Sequence, residues 1–448
     1  MGQLTADRDW VYSAQVAGRF QRLHRATGRL LIVFLFALPW MRIRGLPALE
    51  LDLGTRTLYA FGGIFRPTDT ILLVLLGLML ALGLFLFTAL YGRLWCGYAC
   101  PQTVFLEEWV RRLELRIEGD RGKRRARDQG PWTWDKAWRK GLKWSLFLLA
   151  AGGLSMTLVS LFTGAPDLWT GRVGSAAWLW VASLTALWFA DFVWFREQLC
   201  NYVCPYARFQ GALTDDQSLV VHYDLRTGEP RKEKGEPYLG GSCIDCRKCV
   251  AVCPQGIDIR KGYQLECVNC ARCVDACEGV MGKLGHDPLV RYTTLAEEQG
   301  RGRRVLRGRT LVYIGLLAVL GVAFLWQLQA RRDLEVTVNR APGSLFTVDA
   351  DGAVRNTFLV RVTDTSNRAS RTPEPLTVTV SGLPGAEVLV PELSLAPDTA
   401  TTLPLVIRAT PEAVPHRTTS LVVTVSTGGE TVHRTTTFKS PAAMGGES

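Results

Sequence analysis

The chain has 448 residues, 48% hydrophobic and 21% charged, with a net charge of +11 and twelve cysteines. That is too long for one ordinary domain and too apolar for a disordered chain. All the cysteines lie between Cys96 and Cys277, which argues against a disulfide-stapled secreted scaffold.

Residues 1–28 form an N-terminal segment carrying scattered arginines. The apolar core LLIVFLFALPWM within 26–42 predicts a first membrane span. A cleaved signal peptide fits less well, because the charged lead-in is long and no A-x-A site follows. Residues 71–90 hold no Lys, Arg, Asp or Glu and are long enough, at about 1.5 Å per residue, to cross a hydrocarbon core of about 30 Å. Directly after this span stands Cys96-Gly-Tyr-Ala-Cys100-Pro101. Residues 101–118 then interleave Val104, Leu106, Trp109, Val110, Leu113 and Ile117 with acids and arginines, which predicts an amphipathic helix on the membrane surface. Arg121 to Arg127 reads as a solvated, lipid-facing charge cluster.

Residues 144–163 form another uncharged span, and 173–195 a Trp-dense one that carries Asp191 near its end. An ionisable residue at membrane depth is a functional candidate, although an interfacial position makes simple solvation an equal reading. Cys200-Asn-Tyr-Val-Cys204-Pro205 follows, repeating the first C-x-Y-x-C-P motif 104 residues later, with Phe209 matching Phe105. On a helix, cysteines four apart share a face within about 6 Å, so each pair could hold half of a four-thiolate site. A copper site, a further iron–sulfur site, and buried or disulfide-forming cysteines are the three readings. Tyr98 and Tyr202 could donate to the thiolates.

Within the segment 200–309, a domain expected over 237–290 begins with CIDCRKCVAVCP. Cys243, Cys246, Cys249 and Cys253, followed by Pro254, reproduce the C-x2-C-x2-C-x3-C-P run that holds cubane iron–sulfur clusters. Cys267, Cys270, Cys273 and Cys277 repeat the spacing, with Glu278 in place of the proline. Because the fourth cysteine of each run crosses to the other cluster, the expected ligand sets are Cys243, Cys246, Cys249 and Cys277 for one [4Fe–4S] cluster, and Cys267, Cys270, Cys273 and Cys253 for the second. Tetrahedral zinc would gain nothing from the duplicated order.

A fifth uncharged span covers 310–330, which makes the fold a polytopic α-helical membrane protein with a ferredoxin-like domain. Over 331–448 short Val, Thr, Leu and Phe runs at 335–338, 357–363, 376–380, 402–408 and 419–426 predict an immunoglobulin-like β-sandwich. Its His416 and His433 read as surface residues. The connections 1–29, 92–143 and 196–309 carry 5, 13 and 18 basic residues, against 4 in 42–69 and 1 in 164–175. By the positive-inside rule the membrane domain 29–199 presents its basic connections and the ferredoxin domain to the cytoplasm, and the tail is periplasmic. The basic charge sits beside spans without a base-reading motif, so membrane lipid is the expected partner and nucleic acid is not.

The C-x-Y-x-C-P pairs after alternate spans, the double ferredoxin run, the fifth span and the β-rich tail together resemble the FixG/CcoG family of cytochrome cbb3 oxidase accessory proteins, over nearly the whole chain. The C-x3-C-P pairs are shared with membrane quinol dehydrogenases of the NapH type. The resemblance implies a cupric reductase of the bacterial inner membrane that makes Cu(I) for the oxidase. Cys96, Cys100, Cys200 and Cys204 would be its catalytic, copper-binding thiols, and the eight ferredoxin cysteines its cluster ligands. Implied partners are a cytosolic electron donor, a copper transporter or chaperones and the oxidase assembly machinery, and a homodimer is compatible with this. A quinol dehydrogenase and a non-enzymatic copper-binding scaffold are the alternatives.

Overall fold

The computed structural model of the chain describes residues 10–231, 240–330, 334–364, 374–391, 393–395, 400–414, 416–427 and 430–441. It divides into two compact units, Met1–Leu325 and Trp326–Ser448.

The first unit opens with helix α1 (Arg19–Ala37), whose first turn is capped in trans: Asp275 accepts the backbone N–H groups of Phe20 (3.2 Å) and Gln21 (2.7 Å). Four later helices are long and apolar enough to cross a membrane. They are α2 (Thr70–Tyr91), α3 (Trp134–Thr163), α4 (Ser175–Ala190, continued by a π-helical turn Asp191–Phe195) and α5 (Gly308–Gln329). The expected first span, 26–42, is not among them. Arg19, Arg22, Arg25 and Arg29 punctuate α1 up to Arg29, and Pro39 follows its end, so the apolar stretch Leu30–Met41 is only about 18 Å long at helical rise. Leu30, Val33 and Phe34 on it are nevertheless exposed. Between α1 and α2 the chain forms a small three-stranded sheet (Leu49–Asp52, Thr57–Ala60, Gly63–Phe65) that hydropathy did not indicate.

Helix α3 starts ten residues before its uncharged stretch. Thr133 caps it by accepting the Lys136 N–H (3.3 Å), and its early lysines find protein partners. Lys136 donates to the carbonyls of Asp128 (3.1 Å) and Gly130 (2.8 Å), and Lys143 pairs with Glu118 (3.0 Å).

The expected surface helix 101–118 is instead an internal layer. Its three consecutive pieces are Pro101–Phe105, a π-helical turn Leu106–Val110, and Arg111–Glu118. Val104, Phe105, Leu106 and Val110 are buried, the last three packing with Phe147, Leu154 and Phe192, while Glu107, Glu108, Glu114 and Glu118 are buried too. A helix with acids and apolar residues both inside needs buried cations, and Arg111, Arg124, Arg196 and Arg272 provide them. The Arg121–Arg127 cluster is therefore not simply solvated: Arg124 is buried and donates to Glu114 (2.9 Å) and the Ser13 carbonyl (2.8 Å).

In the cysteine-rich region, strands Val220–Tyr223 and Val290–Thr293 pair antiparallel and enclose both cysteine runs. The second unit is a sandwich of two antiparallel sheets, as expected. One holds the strands beginning Leu334, Val354, Glu387 and Ala400, with the short Thr347–Val348 at its side, and the other those beginning Glu374, Leu393, Thr418 and Glu430. Alternate residues such as Phe358, Val360, Leu403, Leu405, Leu421 and Val423 fill the core between them. His416 and His433 are exposed, and the His433 ring is 2.9 Å from its cross-strand neighbour Thr424.

Candidate iron–sulfur and thiol centre

Chain connectivity brings the eight ferredoxin cysteines into two sets. Cys243, Cys246, Cys249 and Cys277 line one cavity, beneath Tyr223 and Met281. Cys253, Cys267, Cys270 and Cys273 line a second, with Cys249 on its wall between the two. Arg247 and Ala271, both with positive φ (54° and 56°), turn the backbone so that the third cysteine of each run starts a short helix. The first set reaches the surface at Cys246, whereas Cys267 and Cys270 are buried. Burial pushes Cys249, Cys267 and Cys270 up to about 12, so as free thiols they keep their protons at neutral pH, and metal binding must expel them. Two cavities, one lined by Cys243, Cys246, Cys249 and Cys277 and the other by Cys253, Cys267, Cys270 and Cys273 with Cys249, fit cubane clusters better than single ions. Among the described residues, no three Cys, His, Asp or Glu side chains gather as one ion requires.

The other four thiols do not lie on continuous helices. Cys96 sits in the short helix Leu94–Tyr98, and the chain turns extended at Cys100 (ψ 125°) before Pro101 restarts a helix. Cys200 lies in the π-helical turn Leu199–Val203, and Cys204 (ψ 115°) precedes Pro205 in the same way. Proline forces the residue before it out of helical geometry, so the i,i+4 argument for one helical face fails. Burial raises the Cys200 thiol, and the charges of Cys100, Cys96 and Cys204 raise it further, although no three of these thiols gather tightly enough among the described residues for one ion. Burial raises Cys96, opposed in part by the Arg93 guanidinium and by the Gln210 amide, which donates to the Cys96 sulfur at 3.5 Å.

The two motifs are braced reciprocally. Gln102, after the first Cys-Pro, donates to both carboxylate oxygens of Asp191 (2.9 and 2.8 Å) at the end of α4, while the Tyr206 hydroxyl, after the second, bonds Thr88 near the end of α2. Asp191 is thus a buried brace, and the solvated reading is wrong. The duplication is not complete: Phe105 is buried against Trp109 and Trp188, but Phe209 is exposed.

The thiols sit directly on the second cysteine cavity. Cys96 shares one apolar cluster with Val268 and Cys270, flanked by Tyr206. Gly97 makes this approach possible, since a Cβ there would run into the Val268 carbonyl and stand 3.2 Å from the Cys270 Cα. The Tyr98 hydroxyl donates to the Cys270 carbonyl at 3.4 Å. Among the described residues, Tyr202 makes no hydrogen bond to a thiol. Asn269 pins the same loop to α2, donating to the carbonyls of Tyr91 (3.3 Å) and Leu219 (3.2 Å). Buried Arg272 donates to Glu107 (2.6 Å) and Arg111 to the Pro254 carbonyl (2.7 Å), tying the cysteine domain to the internal helix layer. Arg93, Gly97, Gln102, Asn269 and Arg272 all escaped sequence reading. Their one shared signal was proximity to a cysteine motif.

Family models match three stretches: a 4Fe-4S binding domain at 73–118, a 4Fe-4S dicluster domain at 195–295, and the IG-like fold at the C-terminal of FixG at 324–441. Protein RdxB of Cereibacter sphaeroides is 38% identical over 446 residues, covering 93% of this chain and 92% of its own. Nitrogen fixation protein FixG of Rhizobium meliloti is 34% identical over 438 residues, covering 87% and 82%. Among solved structures, a FixG-related protein from Vibrio parahaemolyticus aligns with 24% of this chain and 97% of its own, at 17% identity and a TM-score of 0.22.

Proposed function

The chain belongs to the FixG family and is an iron–sulfur electron-transfer protein, and from that premise we propose that it reduces Cu(II) to Cu(I) for assembly of a cbb3-type oxidase. In this reading Cys243, Cys246, Cys249 and Cys277 hold one [4Fe–4S] cluster and Cys253, Cys267, Cys270 and Cys273 the other. Bound there, the clusters supply reversible one-electron chemistry at low potential. Cys96, Cys100, Cys200 and Cys204 take up copper as substrate. Soft thiolates prefer Cu(I), so binding favours the gain of one electron per ion. The observation that carries the reading is the apolar cluster that Cys96 shares with Val268 and Cys270, where Gly97 lies against the Val268–Cys270 backbone. Arg93 and Gln210 favour the charged thiolate of Cys96, and Gln102 and Tyr206 hold the two Cys-Pro turns in place.

Replacing both Cys100 and Cys204 with Ser tests this. Copper binding and Cu(II) reduction should be abolished with the iron content unchanged at about eight per chain. Undiminished copper reduction by a folded double variant refutes the site. A second reading is favoured by the 4Fe-4S binding model over 73–118, whose cysteines are Cys96 and Cys100: a third cluster on the same thiols. Anaerobic iron near twelve per chain, falling by about four in the double variant, would establish it in place of copper.

A further inference from the structure

A cavity of about 760 Å³ with no cysteine in its lining lies among the ends of α3 and α4 and the segment 114–129. One wall is apolar: Trp144 and Phe147 of α3 meet Phe192, Val193 and Trp194 at the end of α4. The other is basic, with Arg121, Arg124, Arg125, Lys140, Lys143 and Arg196. Three acids face these cations, and all three are already neutralised. Glu114 pairs with Arg124 and Arg196 (both 2.9 Å), Glu118 with Lys140 and Lys143 (both 3.0 Å), and Asp128 with Lys140 (2.6 Å). Arg121 and Arg125 make no ion pair among the described residues. The Arg124 side chain is only 4% exposed, and its Nε is buried without a hydrogen-bond partner.

We propose that this cavity binds the head of an anionic phospholipid. Six cations against three anions select a negative ligand, the spare Arg121 and Arg125 and the orphaned Arg124 Nε supply phosphate donors, and the aromatic wall on α3 and α4 receives the start of the acyl chains. Aromatic residues beside basic ones at the end of spanning helices suit the boundary between hydrocarbon and headgroup. The volume falls in the range of about 300–1,000 Å³ usual for small-molecule sites. Trp10 and Tyr12 close the cavity, Tyr12 donating to Asp128 at 2.8 Å, so the lipid would fasten the N-terminal segment to the helix ends. The inference rests on reading α3 and α4 as spans and is independent of copper.

Full-length protein is reconstituted in nanodiscs of equal phosphatidylcholine and phosphatidylglycerol, re-extracted in detergent, washed, and its retained lipid identified by native mass spectrometry. Phosphatidylglycerol should be retained about tenfold over phosphatidylcholine, and Arg121→Ala/Arg125→Ala should bring the ratio near parity with iron content unchanged. Should the double variant lose iron, the exposed Arg125→Glu serves alone. Equal retention of both lipids, or unchanged retention in the folded variant, overturns the proposal. Release of the lipid by excess inorganic phosphate reassigns the site to free phosphate and overturns it too, as does stoichiometric quinone in place of phospholipid.

Discussion

At Gly97 a hydrogen stands where any other side chain would strike backbone rather than a movable group. The obstacle is the Val268 carbonyl, so Gly97→Ala must push the Cys96 turn off the Cys270 loop. The expected outcome is a protein with a full iron complement whose Cu(II) reduction falls at least about tenfold, read by anaerobic single-turnover kinetics; an unchanged rate removes the contact from the electron path. Glu107 is a second decisive position. Burial alone would raise its pKa, but the Arg111 and Arg272 guanidiniums outweigh burial and hold it at about 2, and Arg196, Lys143 and Arg124 do the same for Glu114. A depressed carboxylate stabilises the fold above its ordinary value of about 4.3, and that contribution fades as pH falls from there toward 2. Thermal melts should therefore drop steeply below about pH 4.3. Glu107→Gln should cost about 3–5 kcal/mol at neutral pH, because buried Arg272 loses its carboxylate partner and Arg111 keeps only Glu197 at 3.7 Å, and should flatten the acid limb.

Among the elements, sequence patterns succeed where one period dominates and fail where partners are distant. The sandwich strands rich in alternating Val and Leu were legible, but Glu430–Lys439 was not, since only Val432 and Phe438 of its ten residues are buried. The start of α3 and the burial of 101–118 were hidden because a hydropathy reading treats every charge as solvated, whereas Lys143, Glu114 and Arg196 satisfy one another inside. The cysteine runs were legible as elements, because each run of spaced thiols bends around its own cavity. Cys246→Ser tests their separateness. Anaerobic iron should fall by about four, from the cluster nearest the surface, while the membrane-proximal thiols remain titratable; loss of all iron would mean the two cages fold as one.

At the scale of the whole molecule, the charge of the connections bears on sidedness. Among the described residues four helices qualify as spans, and α1 qualifies only if its exposed Leu30, Val33 and Phe34 face lipid while its arginines remain at the headgroups. We propose five spans, with the cysteine domain cytoplasmic and the sandwich periplasmic, from the 36 to 5 excess of basic residues in the connections on one side. A phosphatase reporter fused after Ala330 should be active and one after Glu229 inactive; activity at Glu229 alone reverses the orientation, and activity at neither means that α5 does not cross.

The sequence by itself determined the iron–sulfur class, four of the apolar helices and the sandwich, because each is written in local spacing: thiols at fixed offsets, uninterrupted apolar runs, alternating strands. Only the tertiary structure decided that Cys96 meets Cys270 over Gly97, that Gln102 holds Asp191 while Tyr206 holds Thr88, and that the charges of 101–118 are internal. These contacts join residues about 90 to 170 positions apart, and no periodicity carries such pairings. They depend on how two Cys-Pro turns and a buried ionic layer close around one another.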